Sequence, residues 1–350
     1  MDNQKFKDQI LSANSTGSAL QIRGGGTKDW YGQTPQGAVL DTREHSGIID
    51  YEPTELVITA RCGTPLADIE TALAERGQSL AFEPPHFGAN ATVGGMVASG
   101  LSGPSRQSVG ALRDYVLGVV LMDGKGDVLH FGGQVMKNVA GYDVSRLLTG
   151  SMGTLGLILE ASIKVLPRAI ASSSRRFVVA EAEALRWLNE WGGQPLPISA
   201  SCWCDGVLTV RLAGAQAAVS AAEKKMGGEA VSDADAFWQG VREQTHAFFD
   251  TQSPIWRLSV PSVTPPLALS GTSMIEWGGA QRWLLTDANP LDIRAAASAV
   301  GGHATLYRGG DKNVGVFQPL APAVSKIHHN LKATFDPARI FNRGRMYQDL

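Results

Sequence analysis

The stretch that most constrains this chain runs from Gly132 to Pro167, GGQVMKNVAGYDVSRLLTGSMGTLGLILEASIKVLP. It holds two turn-rich pieces, Lys137-Asn138-Val139-Ala140-Gly141-Tyr142-Asp143 and Gly150-Ser151-Met152-Gly153-Thr154-Leu155-Gly156. A strand-like run, Leu157 to Val165, follows directly. Glycine at every third position lets backbone approach something flat or charged with no Cβ in the way. Alone, the segment also reads as an ordinary Gly-rich turn before a buried strand. The same chemistry recurs twice upstream. Ile22-Arg23-Gly24-Gly25-Gly26-Thr27-Lys28-Asp29 follows a short apolar run, and Thr92-Val93-Gly94-Gly95-Met96-Val97-Ala98-Ser99-Gly100 lies between the two. Three such loops in one chain suit a large ligand lying along backbone.

Gly24-Gly25-Gly26-Thr27 offers successive backbone N–H groups that can cradle a phosphate, with Arg23 or Lys28 adding charge. The frame is not a Rossmann fingerprint, because position 29 is Asp. It is not a Walker A loop either, because no Gly-Lys-Ser/Thr triplet occurs in the chain.

Hydrophobic periodicity places the loops. Phe6 and Ile10 stand at helical spacing in Lys5–Ala13. Short strands are expected over 20–23, 38–41 and 55–61. A helix then carries Leu66, Ile69 and Leu73 on one face, with Thr64 as its cap and Pro65 in its first turn. Pro84 and Pro85 keep 83–88 extended. Residues 115–122 and 128–131 form a hairpin across Asp123–Gly126, and Val144–Leu148 make one helical turn. A boundary is expected at 169–174, where small and polar residues replace the motif-rich sequence. Beyond it come a strand over 176–180, a helix over 181–191 and a hairpin of 198–204 with 207–212. Helices near 215–226 and 234–248, a hairpin of 274–277 with 281–285, a helix over 291–300 and a strand over 303–308 follow. Trp191-Gly192-Gly193 and Trp277-Gly278-Gly279 hint at an internal duplication. The tail has a helix starting at Pro322 with Val324, Ile327 and Leu331 on one face, then Phe335-Asp336-Pro337 and Ile340-Phe341-Asn342-Arg343-Gly344-Arg345.

Composition narrows the class. The chain has 350 residues, 43% of them hydrophobic, and a formal charge of −2. That balance is ordinary for a globular protein and shows no basic excess for nucleic acid or an anionic membrane surface. No apolar run reaches the ~20 residues a membrane-spanning helix needs, and the first residues lack the apolar core of a secretory signal. The expected location is the cytoplasm, with any membrane attachment made through partners. Three cysteines, Cys62, Cys202 and Cys204, make neither a disulfide framework nor the four ligands of an iron–sulfur cluster. They read as small buried hydrophobes. His328-His329 reads as a satisfied or solvated pair, and no metal site is expected.

The order and wording of the motifs, Gly24–Gly26, Gly94-Gly95, then KNVAGYD…GSMGTLG, resemble the FAD-binding domain of the vanillyl-alcohol-oxidase type, the PCMH-type flavin fold. Within it they are similar to the FAD-binding subunits of bacterial glycolate oxidases. The resemblance is close over 15–168 and looser over 303–347, where FDP…N-x-G is the family's closing signature. It implies an α+β chain: a PCMH-type FAD domain over 1–168, a small α+β cap over 169–305, and a segment over 306–350 that returns to the FAD domain. It implies FAD, with Arg23, Gly24, Gly25, Gly26, Thr27 and Lys28 at the pyrophosphate. Gly94, Gly95, Ser99 and Gly100 would give close backbone, donors and a hydroxyl to the ring. Gly110 and Asp114 are the next contacts, and Gly153, Thr154, Gly156 and Ile158 cover the ribose side or the ring. Pro84, Thr92, Gly103, Lys137, Asn138, Gly150 and Asn342 complete the set. Some relatives attach flavin through His or Cys. Here the Gly24–Asp29 loop has neither, and Cys62 and His86 match no attachment motif, so the FAD is expected to be non-covalent.

The resemblance implies a glycolate oxidase or dehydrogenase complex that converts a 2-hydroxy acid, glycolate or D-lactate, to the 2-oxo acid. The partners would be a larger paralogous flavin subunit and an iron–sulfur subunit. The relatives that oxidise substrate carry a GDGN-[LV]-H metal motif in the cap, and this chain has none. Arg257, Arg294, His303 and Arg308 are available to bind a carboxylate, but nothing in the sequence brings them into one pocket. No catalytic residue is assigned, and an electron-relaying or accessory flavin role is favoured. Two rivals remain. One is a reductase like UDP-N-acetylenolpyruvoylglucosamine reductase, which KNVAGYD and the FDPARIFNRGR tail argue against. The other is a structural subunit with a vestigial flavin site, which the three intact loops argue against.

Overall fold

The computed structural model describes residues 3–133 and 143–350. Its chain begins with the helix Gln4–Thr16, whose Phe6, Ile10 and Ala13 are buried. They pack on Leu20, Leu40, Met122, Leu157, Leu159, Ile340 and Phe341, so the two ends of the chain share one core. Leu20–Arg23 and Ala38–Asp41 pair in parallel. The tail joins this pair as Leu20 N donates to Ile340 O at 2.7 Å and Asn342 N to Leu20 O at 2.9 Å.

A five-stranded antiparallel sheet follows, in the order Ile48–Glu52, Val57–Arg61, Leu157–Lys164, Val116–Met122, Val128–Gly132. Its central strand, Leu157–Lys164, is nearly all buried, as its apolar run requires. The helix Leu66–Ala74 buries Leu66, Ile69 and Leu73 against it. Thr64 does not cap that helix. Its hydroxyl accepts from Gly47 N and donates to Gly47 O, and Pro65 stands at the cap. Thr92–Gly100 is not a loop but the short helix Val93–Ser99, with Thr92 Oγ1 accepting from Gly95 N. The glycines there sit in a helical first turn, which sequence reading took for a turn-rich segment.

The remaining sheet has eight antiparallel strands in the order Glu229–Ala230, Ala171–Val178, Val207–Gly214, Ile198–Cys204, Thr272–Glu276, Gln281–Leu285, Ile255–Ser259, His303–Arg308. Numbered within each half by position in the chain, that order is 4-1-3-2 followed by 2-3-1-4, the signature of two like halves meeting at their second strands. The duplication is therefore topological. Trp191 ends the helix before its half's second strand, whereas Trp277 follows the second strand of the other half, so the two Trp-Gly-Gly motifs are not equivalent. The strand Ile255–Ser259 is a second departure from expectation, since no element was foreseen there. His303–Arg308 is the sheet edge, so the sheet runs past the expected boundary at 305. Its first strand also begins inside the expected linker, at Ala171.

The helix Pro322–Phe335 returns to the five-stranded sheet through Phe335 and Leu331. Val324 and Ile327 on its apolar face are instead exposed. Lys332 is 1% exposed and donates to Thr154 O, Phe341 O and Asp336 Oδ2 at 2.7–2.8 Å. Asp336 in turn accepts from the amides of Ile340 and Phe341. This buried pair fixes the tail against the Gly150–Gly156 turn.

Candidate functional site

A cleft of about 910 Å³, with the open solvent at its mouth included, lies where the three glycine segments converge. One wall is the turn after Leu20–Arg23. Arg23 Nε bonds Asp29 Oδ2 at 2.7 Å and lays its guanidinium over Gly26, whose φ of +73° suits glycine. Among the described residues, the amides of Gly24, Gly25, Gly26, Thr27 and Lys28 have no acceptor. Five successive free N–H groups beside a cleft form a concave anion site. A Cβ on Gly24 would meet Thr92 Oγ1, and one on Gly25 would overlap the Asn90 carbonyl, so these glycines also let two chain segments close on each other.

The second wall is the helix Val93–Ser99. Gly94 packs on the strand beneath, where a Cβ would lie 2.7 Å from Cys62 Cβ. A Cβ on Gly95 would meet only Thr92 Oγ1, at 3.2 Å, and would otherwise stand in the cleft. Both amides of this pair already have acceptors within the chain. Gly94 N already donates to Cys62 O at 2.8 Å and Gly95 N to Thr92 Oγ1 at 3.3 Å. On the cleft side Gly95 leaves a bare backbone surface. Ser99 Oγ bonds Met96 O. The third wall is Gly153, Gly156, Leu157 and Ile158, closed by Asn342. Asn342 accepts from Ile22 N at 2.8 Å and donates to Met152 O at 2.6 Å, joining three chain segments.

The cleft thus gathers Arg23, Gly24, Gly25, Gly26, Thr27, Lys28, Thr92, Gly94, Gly95, Ser99, Gly153, Gly156, Ile158 and Asn342. It does not gather Pro84, Gly100, Gly103, Gly110, Asp114, Gly150 or Thr154. A Cβ on Gly100 would press on Gly150 Cα at 2.9 Å, and one on Gly103 would overlap the Glu83 carbonyl. Asp114 accepts from Ala111 N, and Thr154 bonds Ser151 O. Chain packing accounts for Gly100 and Gly103, and local hydrogen bonds engage Asp114 and Thr154. Lys137 and Asn138 lie outside the described residues.

Sequence reading missed Tyr31, Cys62, Met152 and Arg345, all of which line the cleft. Arg345 is 7% exposed and donates to the carbonyls of Asp29, Lys28 and Gln33, which shapes the glycine turn from behind. Burial lowers it to about 10. The Asn-Arg-Gly-Arg tail carried that signal, but only its asparagine was read as a contact. Burial pushes the Cys62 thiol up to about 12, so it is a wall and not a nucleophile. Cys202 is buried, and Cys204 is raised to about 11.

The lobe of the eight-stranded sheet packs beside the cleft, against the 83–88 loop and Tyr31. Glu243 accepts from the amides of His86 at 3.0 Å and Phe87 at 2.8 Å, and Arg211 pairs with Glu83 at 2.8 Å. Between the lobes, Trp30 packs edge to face with Phe87 and Tyr307, and Tyr31 lies tilted against Trp30 and Tyr307. Cations surround them. Arg308 lies 4.5 Å from the Trp30 ring, Lys28 5.4 Å from Phe87, and Arg257 5.3 Å from Tyr307 while it bonds Tyr31 Oη at 2.9 Å. Among the described residues none of these three forms an ion pair. Burial lowers Lys28 to about 8, with Glu243 opposing. Arg257 and Arg308 therefore both lie against this aromatic cluster, whereas Arg294 and His303 do not. Arg294 is held by the carbonyls of Val314 and Gly315, and His303 is exposed on the sheet edge. Among the described residues no three His, Cys, Asp or Glu side chains form a metal cluster.

The family model for an FAD binding domain matches residues 2–132. The glycolate oxidase subunit GlcE of Escherichia coli (strain K12) is 48% identical over 99% of this chain and 98% of its own. The chain belongs to the GlcE family of glycolate oxidase subunits. It is an FAD-linked oxidoreductase subunit. The glycolate oxidase subunit GlcD of Bacillus subtilis (strain 168) is 34% identical over 47% of this chain and 38% of its own. The D-lactate dehydrogenase of Archaeoglobus fulgidus is 35% identical over 45% and 35%. A solved alkyldihydroxyacetonephosphate synthase superposes with a TM-score of 0.66 at 14% identity, over 97% of this chain and 74% of that one, which shows the shared fold. The cleft fits FAD: five free amides suit a pyrophosphate, and the bare Gly95 surface suits a flat ring. Among the described residues no helix is long and apolar enough to cross a membrane.

Proposed function

We propose that this chain is the FAD-carrying subunit of a complex that oxidises a small 2-hydroxy acid, glycolate or D-lactate, to the 2-oxo acid. The larger paralogous flavin subunit and an iron–sulfur subunit are its partners, and any membrane attachment runs through them. The observation that carries the reading is the run of five unpartnered amides, Gly24 to Lys28, opening on a glycine-walled cleft. When bound, FAD supplies a two-electron acceptor. The chain's own residues do the rest. The Gly24–Lys28 amides hold the pyrophosphate, and Arg345 keeps their turn in shape. Gly95 leaves room for the ring, Gly153 makes room for Asn342, and Asn342 sets the distance between the walls. Lys28, Arg257 and Arg308 make the mouth positive, which draws an anion toward it.

The flavin is held without a covalent bond, and the subunit relays electrons instead of performing the primary oxidation. Acid precipitation of the yellow protein then releases all flavin to the supernatant. Mixed anaerobically with glycolate or D-lactate in stopped flow, the isolated chain bleaches slowly, while the assembled complex bleaches fast. Rapid bleaching of the isolated chain would end the relay reading. A deficit in orientation can cost ~7–11 kcal/mol, so the difference shows in turnover and not only in affinity.

A further inference from the structure

Beneath the eight-stranded sheet is a second cavity, about 300 Å³ with the open space at its mouth included, roofed by the sheet and floored by Pro85 and Leu101–Pro104. Glu276, Gln281, Trp283, Arg257 and Tyr307 project into it from four adjacent strands. The pairing puts Glu276 opposite Gln281 and Arg257 opposite Trp283, and strand alternation brings all of them to one face. Tyr31 joins this cavity to the flavin cleft, since it lines the cleft and bonds Arg257 at 2.9 Å.

Glu276 is 3% exposed and has no cation within ion-pair distance among the described residues. Its Oε1 takes both available donors, Trp283 Nε1 at 2.5 Å and Gln281 Nε2 at 3.2 Å. Oε2 has no hydrogen-bond partner among the described residues. Arg257 spends one N–H on Tyr31, and no carboxylate pairs with it. A buried carboxyl with an open oxygen and an unpaired guanidinium in one small cavity is costly unless something polar enters between them.

We propose that this cavity is a subsite for a small monocarboxylate bearing an α-oxygen, with Arg257 on the carboxylate and Glu276 on the α-oxygen. The ligand class rests on the reading above, that the complex handles a 2-hydroxy acid; the site itself is new geometry within this chain. One guanidinium matches one carboxylate. The cavity also has a pH signature. Burial holds Glu276 up to about 7, with Glu83 adding to the rise and the Trp283 and Gln281 bonds opposing it. Other charged and titratable groups lie around it. Glu83 is paired with Arg211, Arg242 contacts Glu243 and Glu70, and burial keeps the Tyr307 hydroxyl and Cys202 thiol protonated. An anion is therefore accepted best while Glu276 is neutral. Its affinity falls as pH rises through about 7, tenfold per unit in the limit of one linked proton. Lys28 loses its charge only near 8.

The test is calorimetric titration of the FAD-loaded chain with glycolate across that range, with glyoxylate and acetate as companion probes. Glycolate binding below pH 7 that weakens tenfold per unit above it is expected. E276Q should bind with the low-pH affinity and lose the fall centred near 7. R257Q should lose at least tenfold in affinity while its visible flavin spectrum reports an intact fold, with R257K in between. Acetate, lacking the α-oxygen, should bind more weakly than glycolate or glyoxylate. No glycolate binding at any pH, an unchanged pH slope in E276Q, or equal binding of acetate would each overturn the proposal. Absence of binding leaves the relay reading untouched. Binding accompanied by fast bleaching would end the relay reading and keep the subsite.

Discussion

Lys332 and Asp336 show how much a single residue pair carries here. Both are essentially inaccessible, and between them they bond two carbonyls, two amides and each other. Removing one partner leaves an uncompensated buried charge, which typically costs ~3–5 kcal/mol. Lys332→Met should therefore lower unfolding stability by about that much in urea, whereas a loss within the range of ordinary surface substitutions would contradict the role. Glu276 makes the opposite case. Its folded value, about 7, lies above the ordinary 4.5. Its neutral form is favoured by the fold, so that contribution is complete below 4.5 and is lost as pH rises through 7. Above that, wild type has lost up to roughly 3 kcal/mol that Glu276→Gln keeps. Stability curves of the two proteins against pH should part between 4.5 and 7 and run parallel above. Curves parallel throughout would deny the burial effect.

At the scale of the element, the helix Val93–Ser99 separates two glycine duties that look alike in sequence. Gly94 faces the strand ending at Arg61 and Cys62, and Gly95 faces the cleft. Neither has a positive φ, so left-handed strain is not the reason for glycine at either position. Gly94→Val should destabilise the fold, because Cys62 has no room to retreat, with a cost of ~1–3 kcal/mol for overpacking. Gly95→Val should keep the melting temperature and lose flavin. The ratio of visible to ultraviolet absorbance, read beside a thermal melt, distinguishes the two. A Gly95→Val protein that purifies fully yellow would place the ring elsewhere. Gly153 is the contrasting case, where φ is +70° and a Cβ would lie 2.6 Å from Asn342 Nδ2, so both conformation and space demand glycine.

At the scale of the whole molecule, the two lobes are joined by hydrogen bonds and ion pairs beside the cleft. Glu243 spans the lobes by taking two amides of the 83–88 loop, and Trp277 Nε1 reaches Gly103 O at 3.0 Å. Hydrogen bonds to a charged group are worth ~1.5–3 kcal/mol each, and the two amides would be left without their acceptor. Glu243→Ala should loosen the mouth and speed FAD release by tenfold or more, seen as flavin fluorescence appearing after dilution. An unchanged release rate would show that closure does not control access to the cleft. The aromatic belt of Trp30, Tyr31, Phe87 and Tyr307 would hold the lobes in that event.

Local pattern determined most of the elements and the presence of the cleft. Alternation and apolar runs marked the strands 20–23, 116–122 and 157–164, and glycine spacing marked the backbone that approaches a ligand. Those are short-range properties, written within a few residues of each position. What only tertiary structure decided are the contacts across long separations. The sequence could not say that Gly94 and Gly95 spend their amides on Cys62 and Thr92, or that Gly100 and Gly103 serve packing. Arg345 reaches back to residue 29, and Arg257 meets Tyr31 across the lobes. Ile255–Ser259 went unforeseen because its run is short and its neighbours in the sheet are distant in sequence. Glu276 reads as a charged surface residue at a strand end. It becomes a buried acid only because four strands alternate in register and a second lobe covers them, since burial is set by what the rest of the chain brings to a face and not by the residue itself.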